Sequence, residues 1–150
     1  MKNPTSFLTH TLAGLCLLAF SSGLSWAQSK ALSPEEEAFR LAMTMDEYNS
    51  KTPKERNSVR IFLSICPYIE YADAQISVNL TESQAAKLGL TKDDYAEVLS
   101  SFKETNEGLA KLKAEGMEMP PAPRFKEFAD AYKSYLDGKM TLDELKKVSL

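Results

Sequence analysis

Apolar residues recur at helical spacing along most of the chain. Between 34 and 49 they are Ala38, Leu41, Met45 and Tyr48. A second stretch starts near Pro53 and is strongly apolar from Val59 onward. A short one covers 82–88, and a long one over 92–115 carries Tyr95, Leu99, Phe102, Leu109 and Leu112. The stretch 124–137 carries Phe125, Phe128, Ala129, Tyr132 and Leu136, and 142–148 carries Leu142, Leu145 and Val148. Steps of three and four put such residues on one face of a helix. Clean alternation over a strand's length is absent. The pattern therefore predicts an all-α chain, a small bundle of about four main helices plus short accessory helices.

Polar punctuation frames the same stretches. "SPEE" (33–36) and "TPKE" (52–55) offer a cap residue, Pro at the first helical position and Glu at the third. "TESQ" (81–84) and "TLDE" (141–144) repeat the capping-box spacing, and "TKDD" (91–94) is a near variant. In such a box the hydroxyl accepts from a free backbone N–H and the later side chain reaches back. Leu90 with Tyr95, and Met140 with Leu145, are placed as apolar staples across two of these starts. Gly89, Gly116 and Gly138 follow periodic stretches and predict left-handed helix stops. Pro67 predicts a kink or break in the helix that begins at Pro53. The long stripe lapses at Thr105 and Asn106, near Gly108, which predicts a bend. "EMPPAPR" (118–124) reads as a stiff connector.

The N-terminus changes the picture. Lys2, the nine-residue apolar run "LAGLCLLAF" (12–20) and the small residues Ser25 and Ala27 have the form of an export signal. The run is too short to span a bilayer as a helix. Cleavage is expected after Ala27, leaving 28–150 as a single helical domain in the periplasm or outside the cell. Losing Lys2 leaves 17 basic against 21 acidic residues. Mild acidity argues against a nucleic-acid partner, and no membrane span is expected in the mature chain.

Cleavage would also remove His10, Cys16 and Trp26. The remaining chain has no histidine and one cysteine, Cys66, so it can form no internal disulfide. Cys66 sits in "RIFLSICPYI" among apolar neighbours and is expected to be a buried free thiol. Lack of imidazole removes Ser-His and Cys-His nucleophiles, His-ligated zinc and the Glu-x-x-His pairs of di-iron bundles. No cofactor and no metal site is expected. "YLDGKMTLDELKKV" (135–148) matches the back half of a calcium loop, with Gly138 and Glu144 at the right offset. Lys133 and Tyr135 fall where its leading carboxylates belong. The pairs Met43/Met45 and Met117/Met119 offer soft thioethers but too few of them to select copper. The sequon "NLT" (79–81) would matter in a eukaryotic host. A candidate polar site is Glu70 with Asp73, which on an unbroken helix would share a face with Val59, Leu63 and Cys66. A carboxylate so placed could work in proton transfer.

"LTESQ" (80–84) resembles the LTxxQ motif of small helical periplasmic stress chaperones. That family usually carries the motif twice and a richer basic surface; here the later "LTKDD" (90–94) lacks the Gln. The resemblance adds to one expectation, an exported helical protein that binds another macromolecule in a chaperone, inhibitor or immunity-like role, without catalysis. The partner expected is another protein, a second copy of this chain included. The contact groups expected are Tyr68, Tyr71, Tyr132 and Tyr135, since tyrosine offers area and a polar tip. One alternative is a carrier of an apolar small molecule held between helices around Pro67. A second is a His-free enzyme using Glu70 and Asp73.

Overall fold

A computed structural model describes residues 31–148 and 150. The expected export signal and its cleavage site after Ala27 lie outside the described residues. The elements run α1 (Pro34–Arg40), α2 (Met45–Ser50), α3 (Pro53–Ile65), a 3-10 turn (Cys66–Tyr68), β1 (Ile69–Ala72), β2 (Gln75–Val78), α4 (Glu82–Lys87), α5 (Lys92–Ala114), α6 (Phe125–Leu136) and α7 (Leu142–Lys146). Among the described residues 63% are helical and 7% are strand. The chain is therefore mostly helical but not all-α. Four helices have seven residues or more, and a two-stranded sheet accompanies them.

Local chemistry sets the helix starts. Every described helix except α6 opens with a capping box, at Ser33, Thr44, Thr52, Thr81, Thr91 and Thr141. A cap contributes about 1 kcal/mol. That matters most for α2, α4 and α7, which are too short to persist by propensity alone. The "TKDD" variant closes fully, with Asp94 accepting from the Thr91 N–H at 2.9 Å. At the other ends, Gly89, Gly116 and Gly138 adopt positive φ. Each is followed by the six-to-one hydrogen bond of a left-handed stop, as in Leu90 N–H to Ala85 C=O at 3.1 Å.

Two helical expectations need correction. The stretch 34–49 is two helices, not one. Ala42 takes φ +52°, Met43 N–H donates to Ala38 C=O at 3.0 Å, and Thr44 opens a new box with Glu47. The stop is hidden because its left-handed residue is Ala rather than Gly. Beyond Pro67 there is no helix. The α3 helix ends at Ile65, the chain tightens through the 3-10 turn, and Ile69–Val78 forms an antiparallel hairpin. Its two-residue turn is Asp73–Ala74, both at positive φ. Such turns usually carry Asn-Gly or Asp-Gly, so Ala74 conceals the hairpin signal.

The hairpin has an apolar and a polar face. Ile69 and Ile76 are buried, and Tyr71 and Val78 are half-buried; Glu70, Ala72, Gln75 and Ser77 face water. The apolar face joins the main core, which gathers Ile61, Ile65, Cys66, Leu90, Val98, Phe102, Leu109, Leu112 and Phe125. Helix α5 packs along β2 and against α4, while α6 packs on the 3-10 turn, β1 and α7. Ala38, Leu41, Met43 and Tyr48 form a second cluster between α1 and α2. Ala131, Tyr135 and Leu145 form a third between α6 and α7.

Candidate functional site

The first candidate site is the groove between the hairpin and α5. Its wall comes from Leu99, Phe102, Lys103, Asn106, Glu107 and Ala110. Their spacing of three, four and seven places them on one face of α5. Asn106 is the joint. Its Oδ1 accepts from the Ile76 N–H at 2.7 Å, and its Nδ2 donates to the Ile76 C=O at 2.8 Å. The side-chain amide thus meets Ile76 as a third strand would, with one donor and one acceptor. Ile76 is 3% exposed, so this pairing stands in for water that is not there. The lapse in the apolar stripe has its explanation here. Helix α5 runs unbroken through it. Thr105 beside it is buried and donates to the Ser101 C=O at 2.9 Å. The groove encloses about 560 Å³, open to solvent, with Ile76 and Val78 on the strand side. Leu99 is 43% exposed on its wall.

The second candidate site is a cavity of about 510 Å³ between α1, α3 and α6. Helix α3 contributes Arg60, Leu63 and Ser64; α6 contributes Tyr132 and Leu136; α1 and its flanks contribute Leu32, Glu37, Phe39, Arg40 and Leu41. Phe39 and Leu136 are 44% and 41% exposed at its rim. Burial pulls the Arg60 guanidinium below its ordinary pKa, opposed by the charge of Asp94. It remains a cation, since guanidinium does not deprotonate in proteins. Arg60 Nε and Nη2 both donate to Asn57 Oδ1, at 3.0 and 2.9 Å. Glu37 is engaged, accepting from the Tyr48 hydroxyl at 2.5 Å, a bond that raises the Tyr48 pKa.

The four tyrosines fall into two pairs with different surroundings. Tyr132 and Tyr135 clamp α6 onto the end of α1. Their hydroxyls donate to the Arg40 and Phe39 carbonyls at that helix end, where the Phe39 carbonyl also accepts from the Ala42 N–H at 3.0 Å. Tyr135 is 4% exposed, and its ring lies tilted by 32° against the Phe39 ring with centroids 4.6 Å apart. Burial pushes the Tyr132 hydroxyl up to about 12, with Tyr135 adding to the shift and Arg40 opposing it. Both therefore stay neutral donors at ordinary pH. Tyr68 and Tyr71 lie on the 3-10 turn and β1, half-buried against the main core.

Glu70 and Asp73 are not brought onto one face. Glu70 sits on the exposed face of β1 opposite Ser77, and Asp73 occupies the hairpin turn. The helix that would have grouped them with Leu63 and Cys66 ends before either. Cys66 is 1% exposed, and its thiol donates to the Phe125 C=O at 3.4 Å. In the calcium-like stretch, Asp137 pairs with Lys139 at 3.2 Å and Glu144 accepts from the Thr141 N–H at 2.8 Å. Gly138 ends α6 there, and Thr141 starts α7. Met43, Met45 and Met119 pack against core clusters, and Met117 is exposed.

Neither groove was legible as such. Asn106 left a trace as a polar residue at an apolar position. Arg60 left one as a cation inside "SVRIFLSI", where an unbroken apolar run was otherwise in progress. Among the described residues no group of three or more His, Cys, Asp or Glu is placed to hold a metal ion, and no helix is long and apolar enough to cross a membrane. No protein-family model, curated protein or solved structure matches this chain.

Proposed function

We propose that this is an exported binding protein that holds another protein in the groove between the hairpin and α5, without catalysis. Export rests on residues 1–27, whose charged start, short apolar run and small residues before position 28 have the form of a cleavable signal. The lack of catalysis rests on a chain without histidine beyond Ala27. Chaperone, inhibitor and immunity-like roles all fit this description.

The observation that carries the reading is Leu99. A large apolar side chain, 43% exposed, stands on a solvent-open groove whose two walls are pinned together by Asn106. Rigid walls lose little freedom when a partner docks, and apolar area at the centre supplies the attraction. Lys103 and Glu107 at the rim would set orientation. Tyr68 and Tyr71 support the hairpin wall from its core side.

A photo-crosslinking amino acid at position 99 tests this in the native compartment. A discrete protein adduct is expected, and Ala110→Glu, which puts a bulky charge into the groove from an exposed helical position, should abolish it. Equal labelling from position 117, exposed but outside the groove, would sink the reading. So would labelling that ignores the Ala110 substitution.

A further inference from the structure

The cavity between α1, α3 and α6 differs from the groove in depth and charge, and it stands independently of the partner-binding reading. Its floor is apolar, Leu41 and Leu63, both buried. Its mouth is lipped by Phe39 and Leu136. Two guanidinium groups, Arg40 and Arg60, line it in a chain whose total charge is −3. Glu37, its one lining carboxylate, is already bonded to Tyr48. Among the described residues Arg40 makes no ion pair. The volume, about 510 Å³, falls in the range of small-molecule sites.

We propose that this cavity binds a single-chain amphiphile with a carboxylate head, its alkyl tail between Phe39 and Leu136 above the floor of Leu41 and Leu63 and its head on Arg40, with Arg60 as the second cation. The tail replaces water on Phe39 and Leu136, the lining side chains that are 44% and 41% exposed. The head is read by charge: a carboxylate accepts from the planar fork of a guanidinium through two parallel bonds. Half-buried Arg60 favours an anion over a neutral head for a further reason. Burial strips water from this cation and the charge of Asp94 offsets part of that loss, so Arg60 reaches the cavity as a positive charge that attracts an anion. The residue pattern alone places a carrier site around Pro67. The cavity instead sits one and two helical turns earlier on α3, where Arg60, Leu63 and Ser64 share a face.

Titration calorimetry of the purified protein with dodecanoate, below its micellar concentration, is the direct test. One site per chain is expected. Dodecanol, with the same tail and no charge, should bind at least about tenfold more weakly, the factor for one lost charge-assisted hydrogen bond. Arg40→Ala should weaken dodecanoate by a similar factor and leave dodecanol unchanged, with circular dichroism reporting an intact fold. Leu136→Glu, at the exposed rim, should weaken both. Equal affinity for acid and alcohol would overturn the assignment, as would wild-type affinity in Arg40→Ala or no uptake by folded protein. A dimer that dissociates in Leu136→Glu, without any dodecanoate uptake, would give the cavity to self-association instead.

Discussion

Replacing Asn106 by Ala separates two accounts of this residue. If Asn106 were an ordinary polar position on a helix, the change would stabilise the protein. Ala is the best helix former, by up to about 0.7 kcal/mol over residues such as Asn. The geometry predicts the opposite sign. The substitution removes both bonds to Ile76, each worth about 1 kcal/mol net. It also leaves the N–H and C=O of a residue only 3% exposed without those partners, at about 1–3 kcal/mol for a group that water cannot reach. The two costs are alternative accounts of one loss rather than a sum, so with at least about 2 kcal/mol lost and at most about 0.7 regained, Asn106→Ala should destabilise by at least about 1 kcal/mol. Urea unfolding would read this as a lower midpoint at constant slope. Hydrogen exchange adds a local signature: the Ile76 amide should lose protection before the amides of α6 do. Leu at the same position should not rescue, since it fills space but offers neither donor nor acceptor. A stabilised Asn106→Ala variant, or one in which the Ile76 amide keeps its protection, would refute the account of the hairpin's attachment.

Two further outcomes test the packing around α1. Tyr135→Phe should cost about 1 kcal/mol at most in thermal or urea unfolding, because it removes the part-buried hydroxyl bond to the Phe39 carbonyl while keeping the ring and that carbonyl's bond from the Ala42 N–H. Tyr132→Phe should act similarly through the Arg40 carbonyl, and the double variant should depart from additivity because the rings lie 6.4 Å apart on one helix end. Stability should also fall with acid at Glu47. The Lys146 hydrogen bond, and next the Thr44 backbone N–H, hold its pKa below the usual 4.5 in the folded state. A lowered folded pKa contributes stability that is present above 4.5 and lost as the pH drops through the folded value. The pair is partly solvated, so screening keeps its share to about 0.5 kcal/mol, and Lys146→Ala should flatten the acid limb by that amount in low salt. An unchanged acid limb in Lys146→Ala would remove Lys146 as the cause.

Helix starts and stops were readable because their chemistry is local. A hydroxyl and an acid three residues apart answer each other within one turn, and Gly89, Gly116 and Gly138 need no distant partner to end a helix. The misses share a cause. Ala42 and Ala74 hold left-handed backbone that neighbouring contacts impose against their own preference, so the residue type gives no warning. The hairpin was hidden by Ala74 in its turn and by strands of only four residues, each too short to show a period. Asn106 looked like a flaw in α5 until Ile76, thirty positions away, was found against it. The same holds for the grooves. Arg40 and Arg60 lie on separate helices, and what places both along one cavity is α6, whose tyrosine hydroxyls draw it onto the α1 carbonyls. Residue order governs where each helix begins and ends, through bonds that span three or four positions. Which faces meet, and therefore what they could bind, depends on contacts between positions up to about a hundred apart, which no local spacing can express.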